Sequence, residues 1–320
     1  MTAANGKRCL VGDKLSADGL AILSASPFET VIKVGLSPAE LAATIVDFDG
    51  IIIRSGCKIT AEILARKGRL GAIVRAGVGV DNVDLDAAKK AGVAVMNTPG
   101  GSTNAVAELA LGMILAMARD LSAADRSMKE GRWDKKAFEG AEVAGKTLGI
   151  AGLGRIGLAL ARKAQGLGMK TIGFDPITPA EVAAKNGVEK LEPEAVFTAS
   201  DYLSLHLPLL PETKHLVNAT VLARMKKGVR ILNCARGGVI DEKALLAALE
   251  SGYVAGAGLD VFENEPPTDD DSLALVRHPR VVATPHIGAA TKEAQASVSG
   301  EAAEVMRDYL VAGTIRNRVA

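Results

Sequence analysis

The hydrophobic and polar positions of the chain alternate between short apolar runs and stretches with helical spacing. In the first hundred residues, apolar runs predict strands at RCLVGD, GIIIRS, GAIVRAG and GVAVMNT. The stretches between them predict helices at SADGLAILSAS, SPAELAATI, TAEILARKG and DLDAAKKAG. Alternation of this kind is typical of a parallel sheet covered by helices on both faces, so the pattern predicts an α/β fold.

A second alternating set begins at KTLGIAG and continues with strands at KTIGFD, YLSLHLP, VRILNCA, AGAGLDV and RVVATPH. Between the two sets, a helix is predicted from about Asn104 to Asp120. Because this helix is apolar nearly all round, it is either an internal core helix or part of a subunit interface. A last helix, from about Lys292 to Ala312, follows the second set and could return to the first domain, which would make that domain discontinuous.

Composition narrows the class of protein. The 320 residues are 48% hydrophobic and 3% aromatic, which is enough for two domains with aliphatic cores. Lys+Arg 38 against Asp+Glu 37 leaves a net charge of +1, which argues against general nucleic-acid or membrane-surface binding. The three cysteines fit neither a disulfide framework nor a metal site, and the N-terminus shows no secretory signal. These features predict a cytoplasmic protein without a metal.

The stretch TLGIAGLGRIGLALARKAQGLGMKTIGFDP carries the strongest motif. Gly152, Gly154 and Gly157 form GxGxxG directly after a predicted strand and at the start of a helix, the context of dinucleotide binding. Asp175 ends the next strand, about 20 residues further on, where an acidic residue meets the ribose hydroxyls of NAD. No Arg or Lys in DPITPA is available for a 2′-phosphate, so the motif predicts NAD rather than NADP.

Three polar residues follow strands of the same half of the chain: Arg236, Glu265 and His286. Taken singly, each has an ordinary structural explanation, but ligands of open α/β sheets bind beyond the carboxyl ends of strands. Hydride transfer from a secondary alcohol to nicotinamide requires removal of the hydroxyl proton, which a histidine can accept. A carboxylate would fix the histidine tautomer, and a guanidinium would hold a substrate carboxylate with two hydrogen bonds. The set therefore predicts hydride transfer from a secondary alcohol whose carboxylate is bound by Arg236.

The chain resembles the D-isomer-specific 2-hydroxyacid dehydrogenases over nearly its whole length. The resemblance is densest in RAGVGVDNVDLDAA, NTPGGSTNAVAELALGMILAMAR, GKTLGIAGLGRIG, LHLPLLPETKHLVN, NCARGGVIDEKAL, GLDVFENEPP and TPHIGAATKEAQ. It implies a doubly wound Rossmann domain for NAD at residues 98–287 and a smaller flavodoxin-like substrate domain at 1–97 and 288–320. It also implies a homodimer or tetramer with the apolar helix in its interface. Longer relatives carry C-terminal regulatory domains, and this sequence stops near GTIRNRVA, so it is expected to be either a short natural form or a shortened piece of a longer protein.

The resemblance also assigns roles to residues. It implies Arg236, Glu265 and His286 as the catalytic set. The residues implied for cofactor binding, besides the three glycines and Asp175, are Val78, Arg155, Ile156, Leu207, Cys234, Ala235, Asp260 and Gly288. The residues implied for substrate binding, besides Arg236, are Arg54, Arg75, Val78, Gly79 and Lys135.

The resemblance is strongest to members that oxidise D-3-phosphoglycerate to 3-phosphohydroxypyruvate at the start of serine biosynthesis. Such members often have Thr at the positions of Val78 and Leu207, and Arg at the position of Lys135. A glyoxylate or hydroxypyruvate reductase is the alternative within the family. The more remote alternative is an NADH-binding corepressor of the C-terminal-binding-protein type. The basic residues Arg54 and Lys135 favour the phosphorylated substrate over both.

Overall fold

Residues 6–320 are described by a computed structural model, in which the chain divides into two compact units. The first unit holds the chain up to Ser102 together with Ala290–Ala320, and the second unit holds Thr103–Ala289. These divisions lie a few residues from the boundaries that the resemblance implies. The assignment of the first unit to substrate binding stays a prediction.

The first unit is built on a five-stranded parallel sheet. Its strands are β1 (Arg8–Val11), β2 (Glu29–Ile32), β3 (Gly50–Ile53), β4 (Ala72–Arg75) and β5 (Ala94–Asn97). Their order is β2-β1-β3-β4-β5, which is the flavodoxin-like order 2-1-3-4-5. All four predicted strands form. The strand that the pattern misses, β2, lies at the sheet edge with every residue at least partly exposed, so it has no continuous apolar run.

The helices of the first unit are α1 (Ala17–Ser24), α2 (Pro38–Thr44), α3 (Ala61–Ala65), α4 (Leu85–Ala91) and the C-terminal α13 (Lys292–Ala312). The start of α2 is a capping box between Ser37 and Glu40. The C-terminal helix packs so closely on α1 that a Cβ at Gly19 would lie 2.7 Å from the carbonyl oxygen of Ser299. The last helix is therefore part of the unit formed by the first hundred residues.

The second unit is built on a seven-stranded parallel sheet. Its strands are β6 (Thr147–Ala151), β7 (Lys170–Phe174), β8 (Glu189–Lys190), β9 (Tyr202–Leu205), β10 (Val229–Asn233), β11 (Val254–Leu259) and β12 (Val281–Ala283). The order β8-β7-β6-β9-β10-β11-β12 is the Rossmann order 3-2-1-4-5-6 with a seventh strand added. The predicted fold class is thus confirmed. The strand order reverses between β6 and β9, where this fold binds its ligand.

The helices of the second unit are α5 (Thr103–Ala118), α6 (Leu121–Lys129), α7 (Arg155–Gly166), α8 (Ala180–Lys185), α9 (Pro193–Ala199), α10 (Ala219–Leu222), α11 (Glu242–Glu250) and α12 (Asp270–Arg277). The apolar helix α5 covers β11, where a Cβ at Gly258 would lie 3.1 Å from the Met113 side chain. One face of α5 is therefore part of the core of this unit. Within residues 6–320, no helix is long and apolar enough to cross a bilayer.

Candidate active site

The carboxyl ends of six parallel strands carry the predicted residues of the second unit. Gly152 follows β6, Asp175 follows β7 and Leu207 follows β9. Cys234 to Arg236 follow β10, Asp260 follows β11, and His286 with Gly288 follow β12. Because parallel strands end at one edge of their sheet, these residues share that edge.

The glycine-rich turn after β6 has the backbone that phosphate binding requires. Gly152 has a φ of +96°, and a Cβ there would lie 2.5 Å from the carbonyl oxygen of His206. A Cβ at Gly157 would lie 2.1 Å from the carbonyl oxygen of Gly152. Gly154 precedes α7 in open space, and no side chain of the described residues caps that helix end. The first-turn amides of α7, which include those of Arg155 and Ile156, are thus suited to a pyrophosphate.

The carboxylate of Asp175 is fixed by hydrogen bonds from neighbouring backbone amides. Its carboxylate accepts hydrogen bonds from the amides of Leu153 (2.8 Å), Ile177 (2.7 Å) and Thr178 (2.8 Å). Partial burial alone would raise the pKa of Asp175, but these amides and the charge of Lys190 outweigh it, so the pKa is lowered. Asp175 is therefore an anion, tied to the glycine-rich turn through Leu153.

His286 and Glu265 form a direct pair. The distance between Nδ1 of His286 and Oε2 of Glu265 is 2.6 Å, and the other carboxylate oxygen accepts from the amide of Phe262 at 3.2 Å. The pair is half exposed, with 52% and 36% of the two side chains accessible. An apolar cavity of about 360 Å³ adjoins the pair, and its walls include Phe262, Pro266, Pro267, Ala283 and Pro285.

The pair shifts the pKa values of both partners toward the charged forms. The hydrogen bond to Glu265 raises the pKa of His286 against the opposing effect of partial burial. Burial would raise the pKa of Glu265, but the hydrogen bond and charge of His286 outweigh it and lower that pKa. Because an ionised carboxylate only accepts hydrogen bonds, Nδ1 of His286 carries the proton and Nε2 of the neutral ring holds the free lone pair.

Asp260 fixes the loop that carries His286. The side chain is 1% exposed and accepts hydrogen bonds from the hydroxyl of Thr284 (2.5 Å) and the amides of Ile287 and Gly288 (both 2.8 Å). The amide of His286 itself donates to the Asp260 carbonyl at 2.9 Å. His286 has a φ of +51°, which is uncommon for a non-glycine residue and is maintained by these contacts.

Arg236 lies in a turn organised by a residue that the sequence reasoning missed. Asn233, the last residue of β10, donates to the carbonyl of Arg236 (2.8 Å) and accepts from the amide of Ala235 (3.1 Å). Asparagine at such a turn is a recognisable sequence signal. Nη1 of Arg236 donates to the Ala235 carbonyl at 2.6 Å, which orients the guanidinium. The positive charge of Arg236 acts on the pKa values of both His286 and Glu265, so the three residues lie in one electrostatic environment.

Two residues implied to contact the cofactor are apolar in their surroundings. Leu207 is 9% exposed and Cys234 is 7% exposed. Burial and the nearby charge of Asp260 raise the pKa of the Cys234 thiol to about 12, so it stays protonated. These positions can therefore offer shape and backbone groups, and Cys234 is not a reactive thiolate.

The remaining predicted residues lie elsewhere in the fold. In the first unit, Arg54 follows β3, Arg75 ends β4, and Val78 with Gly79 follow it, so all four lie at the carboxyl edge of that sheet. The Arg54 amide donates to the Asp13 carboxylate at 2.6 Å, and Nη1 of Arg54 donates to the Lys14 carbonyl at 3.3 Å.

Lys135 belongs to the second unit. It begins the exposed 3-10 turn Lys135–Ala137, between α6 and β6.

Comparison with known proteins agrees with this architecture. The family model described as D-isomer specific 2-hydroxyacid dehydrogenase, NAD binding domain, matches residues 111–288, more than half of the chain. The chain belongs to the D-isomer-specific 2-hydroxyacid dehydrogenases. Its predicted cofactor, NAD, is the cofactor of the matched domain.

Named relatives and solved structures resemble the chain over most of its length. D-3-phosphoglycerate dehydrogenase of Rattus norvegicus is 49% identical over 303 residues, which cover 95% of this chain and 56% of the rat protein. A glyoxylate reductase from Paecilomyes thermophila superposes with a TM-score of 0.90 at 32% identity, over 98% of both chains. D-lactate dehydrogenase from Aquifex aeolicus, complexed with NAD and lactic acid, gives a TM-score of 0.86 at 27% identity, over 98% of this chain and 99% of that one. The chain spans about half the length of the curated relatives it matches.

Replacing Asp175 with alanine is expected to weaken NADH binding by about 10-fold or more, the cost of a lost charged hydrogen bond. NADP binding should weaken less, because its 2′-phosphate is repelled by the native carboxylate. Fluorescence titration with both nucleotides measures the two dissociation constants.

Asp201→Ala is the matched control. Asp201 also accepts a hydrogen bond from a strand amide, that of Thr147 at 2.8 Å, but at the amino edge of the same sheet. If the ratio of the NADH and NADP dissociation constants is the same in the native protein and in Asp175→Ala, then Asp175 takes no part in ribose recognition.

Proposed function

We propose that the chain catalyses the NAD-dependent oxidation of D-3-phosphoglycerate to 3-phosphohydroxypyruvate, the first step of L-serine biosynthesis. The observation that carries the proposal is the 2.6 Å pair of His286 and Glu265 at the carboxyl edge of a Rossmann sheet, beside the positive charge of Arg236. The choice of substrate rests on the rat relative, which is named D-3-phosphoglycerate dehydrogenase.

His286 is the general base of the proposed reaction. Glu265 holds the Nδ1 proton, so Nε2 faces the substrate hydroxyl with its lone pair free. As the hydroxyl proton moves to Nε2, the ring becomes an imidazolium beside an ionised carboxylate. The low pKa of Glu265 keeps that carboxylate charged, and the attraction stabilises the developing positive charge on the ring.

Arg236 holds the substrate for this step. Its guanidinium has the fork that binds a carboxylate through two parallel hydrogen bonds, and its own turn carbonyl fixes one arm. Two-point binding fixes the orientation of the adjacent carbon and its hydroxyl toward His286. NAD, bound on the glycine-rich turn, supplies the hydride acceptor.

The phosphate of the substrate is assigned to Arg54, with Lys135 as a second basic residue. Arg54 sits at the carboxyl edge of the first sheet, where its amide is anchored by Asp13. Arginine binds phosphate through two donors, whereas lysine offers a point charge, so Arg54 is expected to carry most of the specificity.

A glyoxylate reductase is the second candidate, because the solved structure of one superposes on this chain at a TM-score of 0.90. Its substrate has no phosphate. The two candidates share the proposed base and the proposed carboxylate clamp, so they differ in the use made of Arg54 and Lys135.

The deciding experiment measures kcat/KM from NADH absorbance for 3-phosphohydroxypyruvate and for hydroxypyruvate. We expect the phosphorylated substrate to be strongly preferred. Arg54→Ala should raise KM for that substrate by about 10- to 100-fold, as the loss of charged hydrogen bonds requires, and should leave hydroxypyruvate nearly unaffected.

Arg69→Ala is the control for a lost arginine in the same unit, since Arg69 pairs with Asp49 at 2.7 Å. Equal turnover of both substrates, with equal effects of Arg54→Ala, would favour the glyoxylate or hydroxypyruvate reductase. NADH binding without turnover of either substrate would favour the corepressor-like alternative.

We also infer a cytoplasmic homo-oligomer, either a dimer or a tetramer. Leu121 and Met128 on α6 and the following Trp133 are large and more than half exposed, at 53%, 55% and 78%. Exposed apolar groups clustered along one segment are typical of a subunit interface. All three cysteines are free and buried, as is usual in a reducing compartment.

A further inference from the structure

The loop that carries Glu265 is contacted from two sides at the peptide bond between Phe262 and Glu263. On one side, the amide of Glu263 donates to Oε1 of Glu242 at 2.6 Å. On the other side, the backbone of Gly237 is so close that a Cβ there would lie 1.8 Å from the Phe262 carbonyl oxygen. Gly237 directly follows Arg236, so this peptide joins the loop of the carboxylate to the turn of the guanidinium.

Glu242 is built into the protein rather than exposed to water. It is the first residue of α11, yet only 7% of it is accessible. Its second oxygen accepts from the hydroxyl of Ser272 at 2.6 Å, and Ser272 is 1% exposed. The backbone amide of Ser272 donates to the carboxylate of Asp269, which caps α12. Burial raises the pKa of Glu242, and the hydrogen bonds from the Ser272 hydroxyl and the Glu263 amide oppose that rise.

Within residues 6–320, the Glu265 side chain makes two hydrogen bonds. One joins it to His286, and the other is the longer bond from the Phe262 amide, 3.2 Å, within the same loop. The position of the peptide between Phe262 and Glu263 therefore determines where the Glu265 carboxylate lies relative to the His286 imidazole. A shift of a few tenths of an ångström would weaken a 2.6 Å hydrogen bond.

We propose that Glu242 is a positioning residue, which sets the distance between Glu265 and His286 and thereby the basicity of the catalytic histidine. The proposal rests on the proposed function insofar as His286 is the base. The charged groups that act on His286 are Glu265, Asp260 and Arg236, and those that act on Glu242 are Glu263 and Asp269. None of these charges is removed when Glu242 is replaced, so a change at His286 reports the geometry of the loop.

The test follows the imidazole of His286 by ¹⁵N NMR titration of the full chain, which has only four histidines. Glu242→Ala removes the acceptor, and Glu242→Met removes it while filling the same space. In both variants, we expect the pKa of His286 to fall by about half a pH unit or more as the pair loosens. We expect kcat to fall by about 10-fold, with KM for NAD changed by less than about two-fold. Glu242→Gln keeps an oxygen for the Glu263 amide and should restore both values.

Asp241→Ala is the matched control. Asp241 caps the same helix by accepting from the Ala244 amide at 3.0 Å, and its own amide donates to the Val217 carbonyl at 3.0 Å. A fall in the His286 pKa as large in Asp241→Ala as in Glu242→Ala would reduce Glu242 to a general structural role. An unchanged pKa in both Glu242→Ala and Glu242→Met would overturn the proposal. The titration needs no substrate, so failure to oxidise D-3-phosphoglycerate would leave its outcome standing.

Discussion

Replacing His286 with alanine is expected to lower kcat by at least about 100-fold, the usual contribution of a positioned general base. Among the described residues, the other group hydrogen-bonded to the Glu265 side chain is the Phe262 amide. An amide N–H cannot accept the hydroxyl proton, so it cannot replace His286 as the base. NADH binding should stay nearly intact, because the glycine-rich turn and Asp175 follow β6 and β7, whereas His286 lies in the loop after β12. Stopped-flow turnover together with a fluorescence titration of NADH separates the two effects.

His278→Ala is the matched control for this variant. His278 lies three residues before β12, the strand that His286 follows, and burial lowers its pKa, the opposite direction from His286. Its replacement should change kcat little. If His286→Ala loses NADH affinity as well as turnover, the assignment of His286 as base must be replaced by a role in cofactor binding.

The pH profile gives a second view of the same pair. Glu265 raises the pKa of His286, so oxidation, which needs the neutral ring, should slow as the pH falls through that raised value. The contribution of His286 to folding stability has the opposite pH dependence. It is full at pH values below the pKa of the unfolded state and is lost as the pH rises through the pKa of the folded state. Glu265, whose pKa is lowered, contributes its full stabilisation at pH values above the pKa of the unfolded state. That contribution is lost as the pH falls through the pKa of the folded state. The pair therefore supports the fold most at mildly acidic pH, while catalysis of oxidation favours higher pH.

Those parts of the fold that have a local signal could be predicted from the sequence. Apolar runs bounded by glycine or polar residues located ten of the twelve strands, and the glycine-rich motif located the cofactor turn. The two missed strands, β2 and β8, lie at sheet edges, and β8 has only two residues, so neither gives an apolar run. Helices α8, α9 and α10, of six, seven and four residues, are not predicted by the pattern.

The residues of the candidate site could be predicted from the sequence, but the contacts between them could not. Arg236, Glu265 and His286 could be selected because each follows a strand, and strands of a parallel sheet end at one edge. The contact between His286 and Glu265 spans 21 residues of sequence, as does that between Glu242 and Glu263. Such long-range hydrogen bonds depend on the packing of α11, α12 and three strands, which a single sequence does not encode in any local pattern. Glu242, one acidic residue at a helix start, looks like an ordinary favourable charge until its burial is known.

Arg236→Lys is expected to lower kcat/KM by about 30- to 1000-fold although it keeps the charge, because two charged hydrogen bonds in a fixed plane become one. In the native turn, one arm of the guanidinium already bonds the Ala235 carbonyl at 2.6 Å, so the plane is set before substrate binds. A lysine ammonium can contact either that carbonyl or the substrate carboxylate along its single stem. It would leave the substrate free to rotate about one contact, which misaligns the hydroxyl and His286.

The comparison that isolates this effect is Arg230→Lys. Arg230 lies near the amino end of β10, the strand that Arg236 follows, and its guanidinium lies 5.4 Å from the centre of the Tyr202 ring. Steady-state kinetics with saturating NAD should show the native kcat/KM in Arg230→Lys and the large loss in Arg236→Lys. If kcat is unchanged and only KM rises in Arg236→Lys, then Arg236 binds substrate and transition state equally and does not orient the reacting carbon. If neither parameter changes, the substrate carboxylate is held elsewhere, and the amides around Val78 and Gly79 in the first unit become the candidates for that role.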